Sequence, residues 1–143
     1  MGGVASVPRL PVQQAESWEV AVVYRQRVLI IDEDRRTVDR LQEKFVELGC
    51  EAEIALSGEV GVTIAAERHM SVAILSAKIG QQQDWSLVRQ LLASDPKLPV
   101  VLFNAPKVKG LSKEARRAGV RKFLCADADP HAVYEEVMKV MRN

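Results

Sequence analysis

Between Arg27 and Asn143 short apolar runs alternate with longer segments in which apolar residues recur every three or four positions. The runs are VLII (28–31), EAEIAL (51–56), VAILS (72–76), PVVLFN (99–104) and KFLCA (122–126). Most lack the in–out alternation of a half-exposed strand, which predicts strands covered on both faces. The intervening segments read as helices. Val38, Leu41, Phe45 and Leu48 repeat at helical spacing, and Gly49 stops the run. Ser57 is placed to cap the helix in SGEVGVTIAAERH, and Asp84 to cap DWSLVRQLLA, where Trp85 anchors the helix to the sheet. IGQQQD (79–84) reads as a loop. GLSKEARRAG (110–119) reads as a short helix closed by Gly119. Asp129 followed by Pro130 opens a last amphipathic helix, with Met138 and Met141 as core or interface filler. Five strands alternating with five helices predict an α/β doubly wound parallel sheet with helices on both faces. In such folds the site lies at the carboxyl ends of the strands. Those ends are Asp32, Ser76, Asn104 and Ala126.

The first 25 residues read differently. Pro8 and Pro11 stand in a stretch without apolar period, the mark of a tail. SWEVAVVY (17–24) then alternates at period two, which predicts an added strand or arm. The domain reading is therefore an extension over 1–25 and one folded domain over 26–143. At 143 residues, 48% hydrophobic and 27% charged, the chain is long enough to bury a core. A net charge of +1 announces neither nucleic acid nor membrane, so any such signal must be local. No apolar run approaches the roughly 20 residues needed to span a bilayer. The start has no basic segment ahead of an apolar core, so the cytoplasm is the expected location. MGGVAS matches the myristoylation pattern at Gly2 and Ser6, a short pattern that small residues often satisfy by chance. Cys50 and Cys125 lack metal-ligand spacing and are expected to be buried, reduced thiols. His69 and His131 fit no ligand spacing and suggest surface roles.

One feature calls for chemistry. RVLIIDED (27–34) drives an apolar strand into Asp32, Glu33 and Asp34, three like charges whose repulsion needs relief from a metal ion, a lysine or water. Asp34 is placed to cap the next helix. Lys78 and the lysines beyond the fourth strand are candidates to lean in.

In this order and spacing, VLIIDED, ALSGEVGV, PVVLFNA and AGVRKFL with DPHAV resemble the receiver domains of two-component response regulators, over about residues 27–142. The resemblance implies a flavodoxin-like five-stranded sheet in order 2-1-3-4-5. It also implies an acidic pair after the first strand that helps bind Mg²⁺, here Asp32 and Glu33. The family's phosphoacceptor aspartate falls on Ser76, its phosphate-contacting hydroxyl residue on Asn104 and its lysine on Ala126. The proline and glycines usual after the acceptor are replaced by GQQQ (80–83). A serine hydroxyl with no evident base nearby is a poor phosphoryl acceptor, and the cluster has lost one Mg²⁺ ligand. No catalytic residue and no cofactor are expected, and any metal binding reduces to weak Mg²⁺ at Asp32 and Glu33. The contrasting reading keeps these two acids as a hydrated relic.

The implied function is a pseudo-receiver: a signalling domain working by phosphorylation-independent protein–protein interaction. No effector-like segment is legible before Asn143, so binding is the expected output. In the family, partners and dimer mates use the face of the fourth helix, fifth strand and fifth helix. Here that region gathers Lys107, Lys109, Lys113, Arg116, Arg117, Arg121 and Lys122 against one acid, Glu114, with Phe123 at the family's switch-aromatic position. The expected partner is an acidic protein, and a homodimer is compatible. Nucleic acid fits less well, because no aromatic interleaving or recognition helix accompanies the charge. The plain alternative is a solvated basic face. An enzyme reading also exists. LIIDEDRRT resembles the first motif of haloacid dehalogenase-like phosphatases, with Asp32 as nucleophile, Asp34 as general acid and Mg²⁺ as cofactor. In that reading Ser76, Asp127 and Asp129 supply later motifs, but Arg35 stands where a glycine is usual.

Overall fold

The computed structural model describes residues 25–126 and 128–142. The extension to Tyr24, including the strand expected over 17–24, lies outside the described residues. The elements are β1 (Arg27–Ile31), α1 (Arg35–Glu47), β2 (Glu51–Ala55), α2 (Gly58–Glu67), β3 (Val72–Ser76), α3 (Ala77–Gln81), α4 (Ser86–Ser94), β4 (Val100–Ala105), α5 (Leu111–Ala118), β5 (Lys122–Cys125) and α6 (Pro130–Arg142). All strand pairs are parallel and the sheet order is β2-β1-β3-β4-β5, as the resemblance implied. The fourth helix of the sequence reading is thus α5, and the fifth is α6.

The unalternating runs are unalternating because both sheet faces are covered. Leu29, Ile31, Leu75 and Leu102 face one core with α2, α4 and α5; Val28, Ile30, Ile74 and Val101 face the other with α1 and α6. Close packing leaves little slack. A Cβ on Gly61 of α2 would fall 2.5 Å from Ile31 Cδ1, so with any other residue the Ile31 side chain would have to shift for α2 to lie this close to β1. Gly119 ends α5 at φ +114°, a left-handed cap where a side chain would also meet Leu92.

Several caps match expectation. Asp34 accepts from Arg36 N at 3.0 Å, Ser57 from Val60 N at 3.2 Å, and Asp129 from Ala132 N at 2.8 Å. Four expectations are corrected. The loop read over 79–84 is partly helical, because the Ser76 side chain accepts from Ile79 N and Ile79 and Gly80 are buried in α3. Asp84 does not cap α4. Trp85 holds that position in a left-handed conformation with no side-chain cap. Leu48 is 41% exposed, since α1 ends before its helical spacing can turn it inward. Cys125 is exposed because β5 is a sheet edge and Cys125 is its last residue, whereas Cys50 is buried as expected; both thiols are free.

Candidate functional site

The three carboxylates after β1 do not converge. Asp32 is buried beside the Ser76 side chain, its carboxylate accepting from Asp34 N at 3.4 Å. Glu33 turns outward and pairs with Lys78 Nζ at 3.6 Å. Asp34 turns onto the N-terminus of α1 as its cap. Each negative charge therefore finds a separate outlet: burial with hydrogen bonds, a lysine, and a helix end. Among the described residues no group of three His, Cys, Asp or Glu side chains is gathered in a way that would hold a metal ion.

Ser76 ends β3 as a buried residue beside Asp32, and its Oγ caps α3 by accepting from Ile79 N. Asn104, in β4, stands at φ +58°, a left-handed conformation that asparagine tolerates better than most residues, and it is exposed. A shift in the β4–β5 register falls between Leu102 and Ala105, around Asn104. Asn104 and Ala126 line a small cavity of about 160 Å³ with Thr37, Arg40 and Phe103. Asn104 also borders an open hollow with Lys78, Gln81 and Gln82. At the strand ends, then, Asp32 lies beside Ser76, and Asn104 shares a cavity with Ala126.

The basic segment divides as well. In α5 only Leu111 and Ala115 are buried, so Lys113, Arg116 and Arg117 face solvent, as do Lys107, Lys109 and Arg121. Lys122 is taken up by Glu136 of α6 at 3.1 Å, and Lys139 holds the same carboxylate. These two cations hold the Glu136 carboxyl below the usual range. Among the described residues none of the other six bases forms an ion pair. Phe123 is half-buried against the α2–α4–α5 core.

No family model matches the chain. Over 91 residues it is 30% identical to the transcriptional regulatory protein PcoR of Escherichia coli, an alignment covering 60% of this chain and 40% of that protein. Over 106 residues it is 26% identical to the probable transcriptional regulatory protein SilR of Salmonella typhimurium, covering 71% and 46%. The chain thus spans less than half the length of these curated relatives. Among solved structures, a CheY-like response regulator receiver domain protein from Methanospirillum hungatei JF-1 superposes with a TM-score of 0.75 at 18% identity, covering 82% of this chain and 94% of that one. The fold is that of a receiver domain.

Within the receiver fold, Lys78, a candidate to lean in, finds its partner in Glu33, and one further contact was not assigned from the sequence. Lys78 reaches Glu33 because the short helix α3 starts immediately at Ser76, and the sequence reading treated most of that stretch as loop. Trp85 Nε1 donates to Glu114 Oε1 at 3.4 Å, tying the turn before α4 to the basic helix α5. No local pattern signals a contact 29 residues long. It arises because α4 and α5 pack on the same sheet face.

The receiver's acidic pocket carries a pH signature. Burial pushes the Asp32 carboxyl above its ordinary value, and hydrogen bonds from Asp34, Ser76 and Glu33 only partly oppose it. The folded-state value lies above the unfolded one, so the native state holds the extra proton between them. Stability therefore falls as pH rises through that interval. Asp32→Asn keeps a hydrogen-bond acceptor and removes the charge. It should raise stability at pH 7 by a modest amount, of the order of 1 kcal/mol. In denaturant melts at stepped pH, the gain should vanish below the unfolded-state carboxyl range. A loss at pH 7 would mean that the Asp32 charge is compensated.

Proposed function

We propose that this receiver-fold domain, residues 26–143 behind the 1–25 extension, signals in the cytoplasm by binding a protein partner rather than by accepting a phosphoryl group. The observation that carries the reading is Ser76: a neutral, buried side chain at the acceptor position, its oxygen already engaged with Ile79 N–H. Phosphoryl transfer needs an activated nucleophile and cations on the developing charge. Asn104 supplies no hydroxyl, Ala126 supplies no cation, and Lys78 is turned onto Glu33. With the third carboxylate gone, Asp32 and Glu33 are left as at most a weak Mg²⁺ site. Against the phosphatase reading, the Asp34 carboxylate is engaged as the cap of α1.

Binding then falls to the α5–β5–α6 face, where Lys107, Lys109, Lys113, Arg116, Arg117 and Arg121 stand around half-buried Phe123. Exposed ion pairs contribute at most about 1 kcal/mol each to folding, so such clustering serves encounter with a negative surface. Incubation with acetyl phosphate and Mg²⁺ followed by intact-mass measurement tests the reading. No phosphate adduct is expected; a stoichiometric adduct overturns it.

A further inference from the structure

Two segments of this domain, one at each sheet edge, are rich in one sign of charge. Residues 51–67 hold four acids, Glu51, Glu53, Glu59 and Glu67, with no lysine or arginine. They build the edge strand β2 and helix α2. Residues 107–122 hold seven bases and one acid and run through α5 to the opposite edge strand, β5. Two of the acids are used internally: Glu51 on Arg27 at 3.4 Å, and Glu53 on Arg68 at 2.6 Å. Glu59 and Glu67 are exposed, and neither forms an ion pair among the described residues.

At the carboxyl end of the sheet, where α2 carries Glu59 in its first turn while Glu67 lies at its far end beside Arg68, each segment also carries exposed apolar surface. Leu56 and Val60, 38% and 47% exposed, flank Glu59; Val108, 58% exposed, sits between Lys107 and Lys109. We propose that the basic β4–α5 corner docks onto the acidic β2–α2 corner of a second copy of this chain. The two corners have opposite charge and matching apolar centres. A whole-chain charge of +1 leaves almost no net repulsion between copies. The contact is through side chains rather than by extending the sheet, because Gln42 Nε2 already donates to the outward carbonyl of Ala52 on the free edge of β2, at 3.0 Å. This names an occupant for the basic face, and so rests on the binding function proposed above.

Sedimentation velocity of the full chain at about 0.1 mM protein tests the pairing. In about 50 mM NaCl the average mass should exceed the monomer's 15.9 kDa. In about 500 mM NaCl association should weaken at least about tenfold. Glu59→Lys with Glu67→Lys, and Lys113→Glu with Arg116→Glu and Arg117→Glu, should each sediment as monomers with unchanged circular dichroism. Their equimolar mixture should associate, because each supplies the corner the other lacks. A monomeric wild type at low salt, a variant that still self-associates, or a mixture that stays monomeric overturns the pairing. An immobilised poly-glutamate peptide separates the two proposals. Wild type that stays monomeric, yet binds the peptide in a manner lost in the triple variant, overturns only self-pairing. Failure of both assays removes the basic face as a docking site altogether.

Discussion

Replacing Ser76 with aspartate should lower the melting temperature by about 10 °C in chelator, and millimolar Mg²⁺ should restore most of the loss. Ser76 is buried next to Asp32, so the new carboxylate comes to rest beside an existing one. An uncompensated buried charge of this kind costs about 3 kcal/mol. Aspartate is as good a helix cap as serine, so α3 should keep its start and the effect reports charge rather than capping. Two like carboxylates raise each other's proton affinity, so the deficit should be full at pH 7 and shrink as the solution is acidified. Mg²⁺ bound only by the folded state stabilises it by mass action. Thermal melts with chelator, with Mg²⁺ and at stepped pH provide the check. A melting temperature indifferent to Mg²⁺ would mean that the Asp32–Ser76 end of the sheet cannot gather ligands.

The second large effect is expected at Trp85. This residue is 7% exposed, packs close to Gly80, and donates its indole N–H to Glu114 on α5. It stands third in a run of non-glycine residues, Gln83, Asp84 and Trp85, held at φ 51°, 54° and 66°. Left-handed backbone at three successive residues is costly, and the buried indole is the packing that holds it there. Trp85→Ala should cost about 3–5 kcal/mol, the usual range for a large aromatic removed from a core. Its effect should also reach α5, where amide exchange should quicken once the tie to Glu114 is gone. Trp85→Phe separates the contributions: it keeps most of the packing, loses one part-buried hydrogen bond, and should cost only about 1 kcal/mol. A benign Trp85→Ala would show that the turn is held by other contacts.

Much of this was legible in the chain itself. Unalternating runs such as VLII and VAILS could only be satisfied by cover on both faces, and caps such as Asp34, Ser57, Gly119 and Asp129 act within a few residues of themselves. Element types and the doubly wound architecture therefore follow from local sequence, because period and capping are short-range physics. Tertiary structure decided what depends on distant partners. The IGQQQD stretch partly became a helix because Ile79 and Gly80 found a core to enter. Asp84 lost its capping role because burying Trp85 took control of the backbone. Cys125 became exposed because β5 is an edge strand. Lys122 left the basic patch for Glu136, and Asp32, Glu33 and Asp34 parted toward Ser76, Lys78 and the α1 N-terminus. Charge and burial are settled by neighbours far away in the chain, and a single sequence places those neighbours only once the sheet is assembled.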